Sequence, residues 1–198
     1  MRLLIILLST FLIASCAPMF QLKQTGQSSM WNSYSVATSE NINELKNDKS
    51  VMWTQDGPIL ERVEFWVPVS DGEKLPLIFS SGNETRAGTF RSDMTPEEVV
   101  ELVRNGFFLT TLTPTFIGNL QPASFGEAQG YLIDVNLSAK DGSDFQGNLL
   151  FATVDGKLMT VLFIAQETHY YETRRPYFDK VVNSIKISAA CWPVLSSP

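Results

Sequence analysis

The densest gathering of groups able to do chemistry in this chain is Glu167-Thr168-His169-Tyr170-Tyr171-Glu172, where the only histidine stands among two phenols and two carboxylates. A histidine titrates near neutral pH, so beside a carboxylate it can serve as a general base, a ligand clamp or a pH-sensitive contact. The same residues can equally cap or pack a strand-to-helix connection, with the tyrosines covering the sheet edge. Asp56, next to Gly57 and near Glu61 and Arg62, is a second acid-base grouping, one that turn chemistry also explains. His169, Tyr170, Tyr171, Glu167 and Asp56 are therefore the candidate ligand or partner contacts. A hydrolase using His169 with an acidic neighbour is the catalytic alternative to a non-catalytic binding domain.

Other chemistries lack their residues. A single histidine excludes a multi-histidine metal centre, and the Asp and Glu spacing supplies no carboxylate cluster, so no metal and no cofactor is expected. There is no GxSxG elbow, no GxGxxG after a strand and no GxxxxGK[ST] loop. A Ser-His-Asp set needs only to meet in space and stays open. Phe107, Phe108 and Phe116 read as core rather than as a cofactor pocket. Fifteen basic residues stand against 21 acidic ones for a net charge of −6, and Arg174-Arg175 is the only adjacent basic pair. Phosphate contacts need clustered Lys and Arg, so nucleic acid is not an expected partner.

The elements that must position these groups are legible from pattern. Residues 17–50 are rich in Gln, Ser, Asn and Thr with scattered hydrophobes, which predicts a flexible tether, with local docking of Met30, Trp31 and Tyr34 as the alternative that would order part of it, and the folded domain is expected over 51–188. After Val51-Met52-Trp53-Thr54, the Asp56-Gly57 turn leads into a strand in which Ile59, Val63, Phe65 and Val67 share one face and Arg62 and Glu64 the other. Asp71-Gly72 marks another turn. Pro76 demotes 75–79 to an edge strand or loop, and 80–93 read as a surface loop.

Thr95-Pro96 with Glu98 predicts a capping box opening a helix, with Val99, Leu102 and Val103 as its apolar stripe and Asn105-Gly106 as its end. A strand is expected over 107–113, bounded by Pro114. A three-strand meander follows over 130–137, 147–154 and 157–165, joined by Asp141-Gly142 and Asp155-Gly156. Its last strand is apolar on both faces, as a central strand covered on both sides would be. A closing helix is expected to open at Pro176, burying Phe178, Val181, Val182 and Ile185. The fold class is α+β, an antiparallel sheet with helices packed on it.

The beginning of the chain adds an address. Arg2, the apolar run from Leu3 to Leu8 and the closing Ile13-Ala14-Ser15-Cys16 form a charged start, a greasy middle and a small-residue cut site. This resembles the lipobox signal of bacterial lipoproteins, with residues 1–15 as the signal peptide. The resemblance implies diacylglycerol on the Cys16 thiol and acylation of its amine. With Ala17 rather than Asp next in line, it also implies the outer membrane, facing the periplasm. The mature chain would carry 14 basic and 21 acidic residues, so acyl chains rather than charge must supply membrane affinity. Cys191 would then have no disulfide partner in the chain, and the tail 189–198 is unplaced.

Asp56-Gly57-Pro58 with its strand, the helix over 95–105, the meander, and the run from Pro176 to Lys186 together resemble uncharacterised bacterial envelope lipoproteins with a PsbP-like α/β/α sandwich. That resemblance, over about residues 51–187, implies an accessory role in which the domain binds an envelope protein partner or a small ligand.

Overall fold

A computed structural model describes residues 20–76, 88–107 and 112–188. The signal segment, Cys16 and the tail with Cys191 lie outside the described residues, as do most of the 75–79 and 107–113 strand candidates.

The meander is the backbone of the fold. Asp155 and Gly156 both take positive φ, at 49° and 72°, which is the geometry of a two-residue hairpin that matches strand twist. They join β10 (Asp144–Val154) to β11 (Lys157–Gln166). Strands β8 (Leu112–Phe125) and β9 (Ala128–Ala139) precede them, so the meander has four strands rather than three. β8 runs through Pro114, the expected boundary of the 107–113 strand, and through Pro122. It lies at the end of the sheet path and is bulged after Pro114 and after Gly118, which is where proline's missing N–H does least harm.

Upstream, β5 (Ser50–Thr54) pairs with β6 (Glu61–Trp66), and β7 (Val69–Ser70) pairs with the start of β11. Ile59 belongs to the turn and is 73% exposed, and all six residues of β6 are buried, so this strand has no wet face.

The expected tether over 17–50 is corrected from residue 20 onward. β1 (Gln21–Lys23), β2 (Gly26–Met30), β3 (Tyr34–Thr38) and β4 (Ile42–Lys46) fill that stretch. Its hydrophobes are few, but Met30, Tyr34, Val36 and Ile42 are all buried. Their outward neighbours include Ser29, Ser35, Ala37, Asn41 and Asn43, so the average composition looks like linker while the strands have an inner face. Trp31 and Asn32, both at positive φ, make the β2–β3 turn.

The main sheet follows the order β1-β4-β5-β6-β11-β10-β9-β8, antiparallel at each pairing, with β7 beside β11. A second sheet, β12-β3-β2, includes β12 (Lys186–Ile187).

Helix α1 (Pro96–Phe107) starts with the expected capping box: the Thr95 amide donates to Glu98 Oε2 at 2.8 Å and the Glu98 amide to Thr95 Oγ1 at 3.3 Å. Gly106 does not end it but is buried inside its last turn. Helix α2 (Tyr170–Asn183) begins six residues before Pro176, which lies within it. A proline there forgoes the bond to the Glu172 carbonyl.

Central β11 explains the α/β/α layering. Leu158, Leu162 and Ile164 pack with Val99, Val103 and Phe107 of α1. Met159, Val161, Phe163 and Ala165, alternating with them, pack with Tyr177, Phe178 and Val181 of α2 and with Tyr34 and Val36 of the small sheet. The strand that read as apolar on both faces is covered on both.

Candidate functional site

One lateral row of the sheet organises the α2 side. Register places Gln21, Glu44, Trp53, Val63, Phe163, Asn148, Asp134 and Gly118 opposite one another in turn across all eight strands of the main path. Directly paired residues share a face. The centre of the row is apolar: Phe163 stacks between Phe178 at 5.3 Å and Tyr171 at 5.7 Å. Beyond it the row turns polar. Asn148, fully buried, donates from Nδ2 to Asp134 Oδ1 at 2.8 Å, and Asn119 donates to Asp134 Oδ2 at 2.8 Å.

Asn148 Oδ1 accepts twice from α2, from the Tyr171 hydroxyl at 3.0 Å and from Arg175 Nη1 at 2.6 Å. Arg175 also donates to Asp179 at 3.0 Å. Burial works against the Arg175 cation, yet its bonds to Asp179 and Tyr171 hold its pKa above the ordinary guanidinium value. The chain Asn119, Asp134, Asn148, Tyr171, Arg175, Asp179 thus ties the helix to three strands. Asn119, at positive φ, sits on β8 near Phe116, whose ring is 44% exposed and lies over Gly118. A Cβ at Gly118 would come within 2.8 Å of the tip of that ring, so a side chain there would require Phe116 to swing aside.

Of the five contact candidates, Tyr171 is a member of this chain. Asp56 is drawn to the opposite flank of α2, where Arg174 Nη2 meets its Oδ2 at 2.6 Å. Glu40 joins them: Gln55 Nε2 donates to it at 2.5 Å, and Lys180 Nζ lies 3.9 Å away. The turn itself is held by Glu61, whose Oε1 accepts from Thr54 Oγ1 at 2.8 Å and from the Asp56 amide at 3.0 Å. Tyr170 packs half-buried against the α2-side core.

His169 occupies the N-cap position of α2, exposed, making no cap bond and touching Tyr170 edge-on at 5.1 Å. Among the described residues no hydrogen bond joins its ring to a carboxylate. Glu167 instead accepts from Gln146 Nε2 at 3.1 Å and lines a cleft of about 280 Å³ with Asp144, Ser143 and Thr168.

Sequence reasoning missed Asn119, Asn148 and Arg175. Asn148 carried a signal, an amide inside the apolar run 147–152, since a buried polar group demands partners.

The α1 side of the sheet holds a different polar cluster. Arg62, Glu64 and Trp66 alternate along β6, with Arg62 Nε bonding Glu64 Oε1 at 2.5 Å and Trp66 Nε1 reaching Oε2 at 3.4 Å. Arg62 Nη1 also donates to the Pro58 carbonyl at 2.8 Å. Burial raises the Glu64 pKa, and the Arg62 charge and the Arg62 and Trp66 bonds pull against it without cancelling it. Among the described residues no group of three His, Cys, Asp or Glu gathers to hold a metal ion, and no helix is long and apolar enough to cross a membrane.

No family model matches the chain, and no curated protein matches it either. Solved structures do. The solution structure of cyanobacterial PsbP, CyanoP, from Synechocystis sp. PCC 6803 is similar with a TM-score of 0.55 at 12% identity, covering 88% of this chain and 98% of that one. LpqN, described as involved in cell envelope biogenesis of Mycobacterium tuberculosis, aligns at 9% identity and a TM-score of 0.36, over 87% of this chain and 80% of that one. With its antiparallel main sheet, a helix on each face and this likeness to CyanoP, the chain is an α+β protein of PsbP-like fold.

Proposed function

We propose that this chain is a lipid-anchored envelope protein of non-catalytic type, held by acyl chains on Cys16 in the outer membrane and facing the periplasm, whose PsbP-like domain docks an envelope protein partner. The observation that carries the docking reading is the surface of β8 and β9 beside α2. There Phe116 stands 44% exposed next to Asn119 and Asp134, which are fixed in place by mutual hydrogen bonds. An aromatic anchor with a pre-ordered polar rim is the arrangement that protein interfaces use, because little side-chain freedom is lost on binding. The lipobox-like Ile13-Ala14-Ser15-Cys16 supports the anchor, and the PsbP-like fold supports an accessory role by analogy.

The test is site-specific photocrosslinking in cells. A photoreactive residue at position 116 should give one discrete adduct with the same protein in each replicate, while the same residue at exposed Ile59, in the β5–β6 turn, should not. No adduct at 116, or identical smears at both positions, would contradict the docking reading.

A further inference from the structure

We infer that the anchored chain stands on one narrow edge, with β1, β4, β5 and the turn between β4 and β5 against the bilayer and the β8 edge held in the aqueous space. The inference rests on the proposed anchor at Cys16 and adds the surface that meets the lipid.

The covalent chain limits the geometry. Gln21 opens β1 only five residues after Cys16, and a trans peptide chain extends at most about 3.6 Å per residue, so the two Cα atoms lie within about 18 Å. β1 is itself an end of the sheet path, and β8 is the other. Seven inter-strand spacings of about 4.8 Å separate them, roughly 34 Å along the row from Gln21 to Gly118. The acyl chains therefore reach the β1 edge and fall short of β8. The direction of β1 agrees. Its residues pair Gln21 with Glu44 and Lys23 with Ile42, so the chain enters from the side on which β4 ends at Lys46 and the 47–49 turn begins.

The composition of that edge fits a membrane surface. Leu22 on β1 is 70% exposed, a large apolar side chain on an otherwise short strand. The charge is also unevenly placed. Residues 21–23 and 42–54 hold Lys23, Lys46 and Lys49 against Glu44 and Asp48, whereas the described residues from 55 to 188 hold ten basic residues against seventeen acidic ones. An anionic leaflet repels the second set and does not repel the first, so electrostatics turns this edge toward lipid and the acidic remainder away. Lys46 and Lys49 flank the turn, whose backbone is fixed by Asn47 Oδ1 accepting from the Lys49 and Ser50 amides at 2.8 Å. The surface carrying Phe116 and Asn119 is then the part of the sheet farthest from the bilayer.

The test uses the full chain in a Cys191→Ser background, purified from membranes and reconstituted into phosphatidylethanolamine–phosphatidylglycerol vesicles that contain headgroup-nitroxide lipid. A fluorophore is placed through Lys46→Cys or Asp48→Cys on the near edge, and through Thr115→Cys or Ser124→Cys on β8. Nitroxide should quench the first two labels several-fold more than the last two. Equal quenching, or stronger quenching on β8, overturns the orientation. The mass of the same preparation separates the two readings: an acylated Cys16 with flat quenching removes only the orientation, and an unacylated chain removes the anchor together with the orientation that rests on it.

Discussion

On the α1 side of the sheet, Arg62 and Glu64 form a charged pair almost wholly removed from water, whereas on the α2 side the fully buried member of the network, Asn148, is a neutral amide, and the charged members Asp134, Arg175 and Asp179 are only partly buried. The two arrangements have different energetics. Taking two full charges out of water costs several kcal/mol per ion, which their attraction roughly offsets, so an intact pair adds little net stability while a broken one is severe. A buried amide with its donor and acceptor both used costs less to desolvate, and each bond it makes adds on the order of 1 kcal/mol. The α1-side cluster is thus a brittle structural device. The α2-side chain ties helix to sheet and ends at solvent-facing Asn119, where it can also shape a docking surface.

The largest effect is expected from breaking the buried pair on one side only. Arg62→Met leaves Glu64 in an apolar site and should cost about 3–5 kcal/mol by urea unfolding. Arg62→Met with Glu64→Leu should recover most of that loss, and a double variant as unstable as the single one would show that the pair is a net stabiliser after all.

The pair also predicts a pH dependence. Because burial raises the Glu64 pKa in the folded state, the native protein binds its proton more tightly than the unfolded chain does. Its contribution is present below the ordinary glutamate value and is lost as pH rises through the folded value. The stability of the native chain relative to Glu64→Gln should therefore fall across that interval, as read from urea midpoints at a series of pH values. A relative gain with rising pH would mean that Arg62 outweighs burial.

Asn148→Leu comes next. It takes away the acceptor of the Tyr171 O–H, leaving that hydroxyl only the bond it accepts from Arg175 Nη1 at 3.1 Å, and removes one bond each from Arg175 and Asp134, at about 1–3 kcal/mol. It should also weaken crosslinking from position 116, which a purely structural amide would leave alone once stability is matched. The smallest effect belongs to Asp56→Ala. Its pair with Arg174 is partly exposed, so about 0.5–1 kcal/mol is expected from thermal unfolding.

Much of the fold was legible because local chemistry and global position agreed. Thr95 and Glu98 announced their capping box, Asp155-Gly156 its hairpin, and the doubly apolar run from Leu158 to Ile164 its central place. The first strands were hidden for a physical reason. β3 alternates Tyr34, Val36 and Thr38 inward with Ser35 and Ala37 outward, a period that five residues carry too briefly to outweigh the polar composition around them. Pro114 misled in the opposite sense, since an edge strand tolerates what a central one does not.

The site was less legible than the fold. Asn148 meets Tyr171 and Arg175 from 23 and 27 residues away in sequence, and Asp56 meets Arg174 across 118, separations over which only the folded sheet sets the contact. His169 stood out by being unique, yet among the described residues its ring meets Tyr170 edge-on and no carboxylate.

The anchoring claim is tested most directly by the intact mass and N-terminal peptide of the native protein extracted from its membrane. The account predicts a mature chain that begins at Cys16 and carries diacylglycerol on the thiol and a further acyl group on the amine. An intact Met1, or a mature start at any other residue, would contradict it.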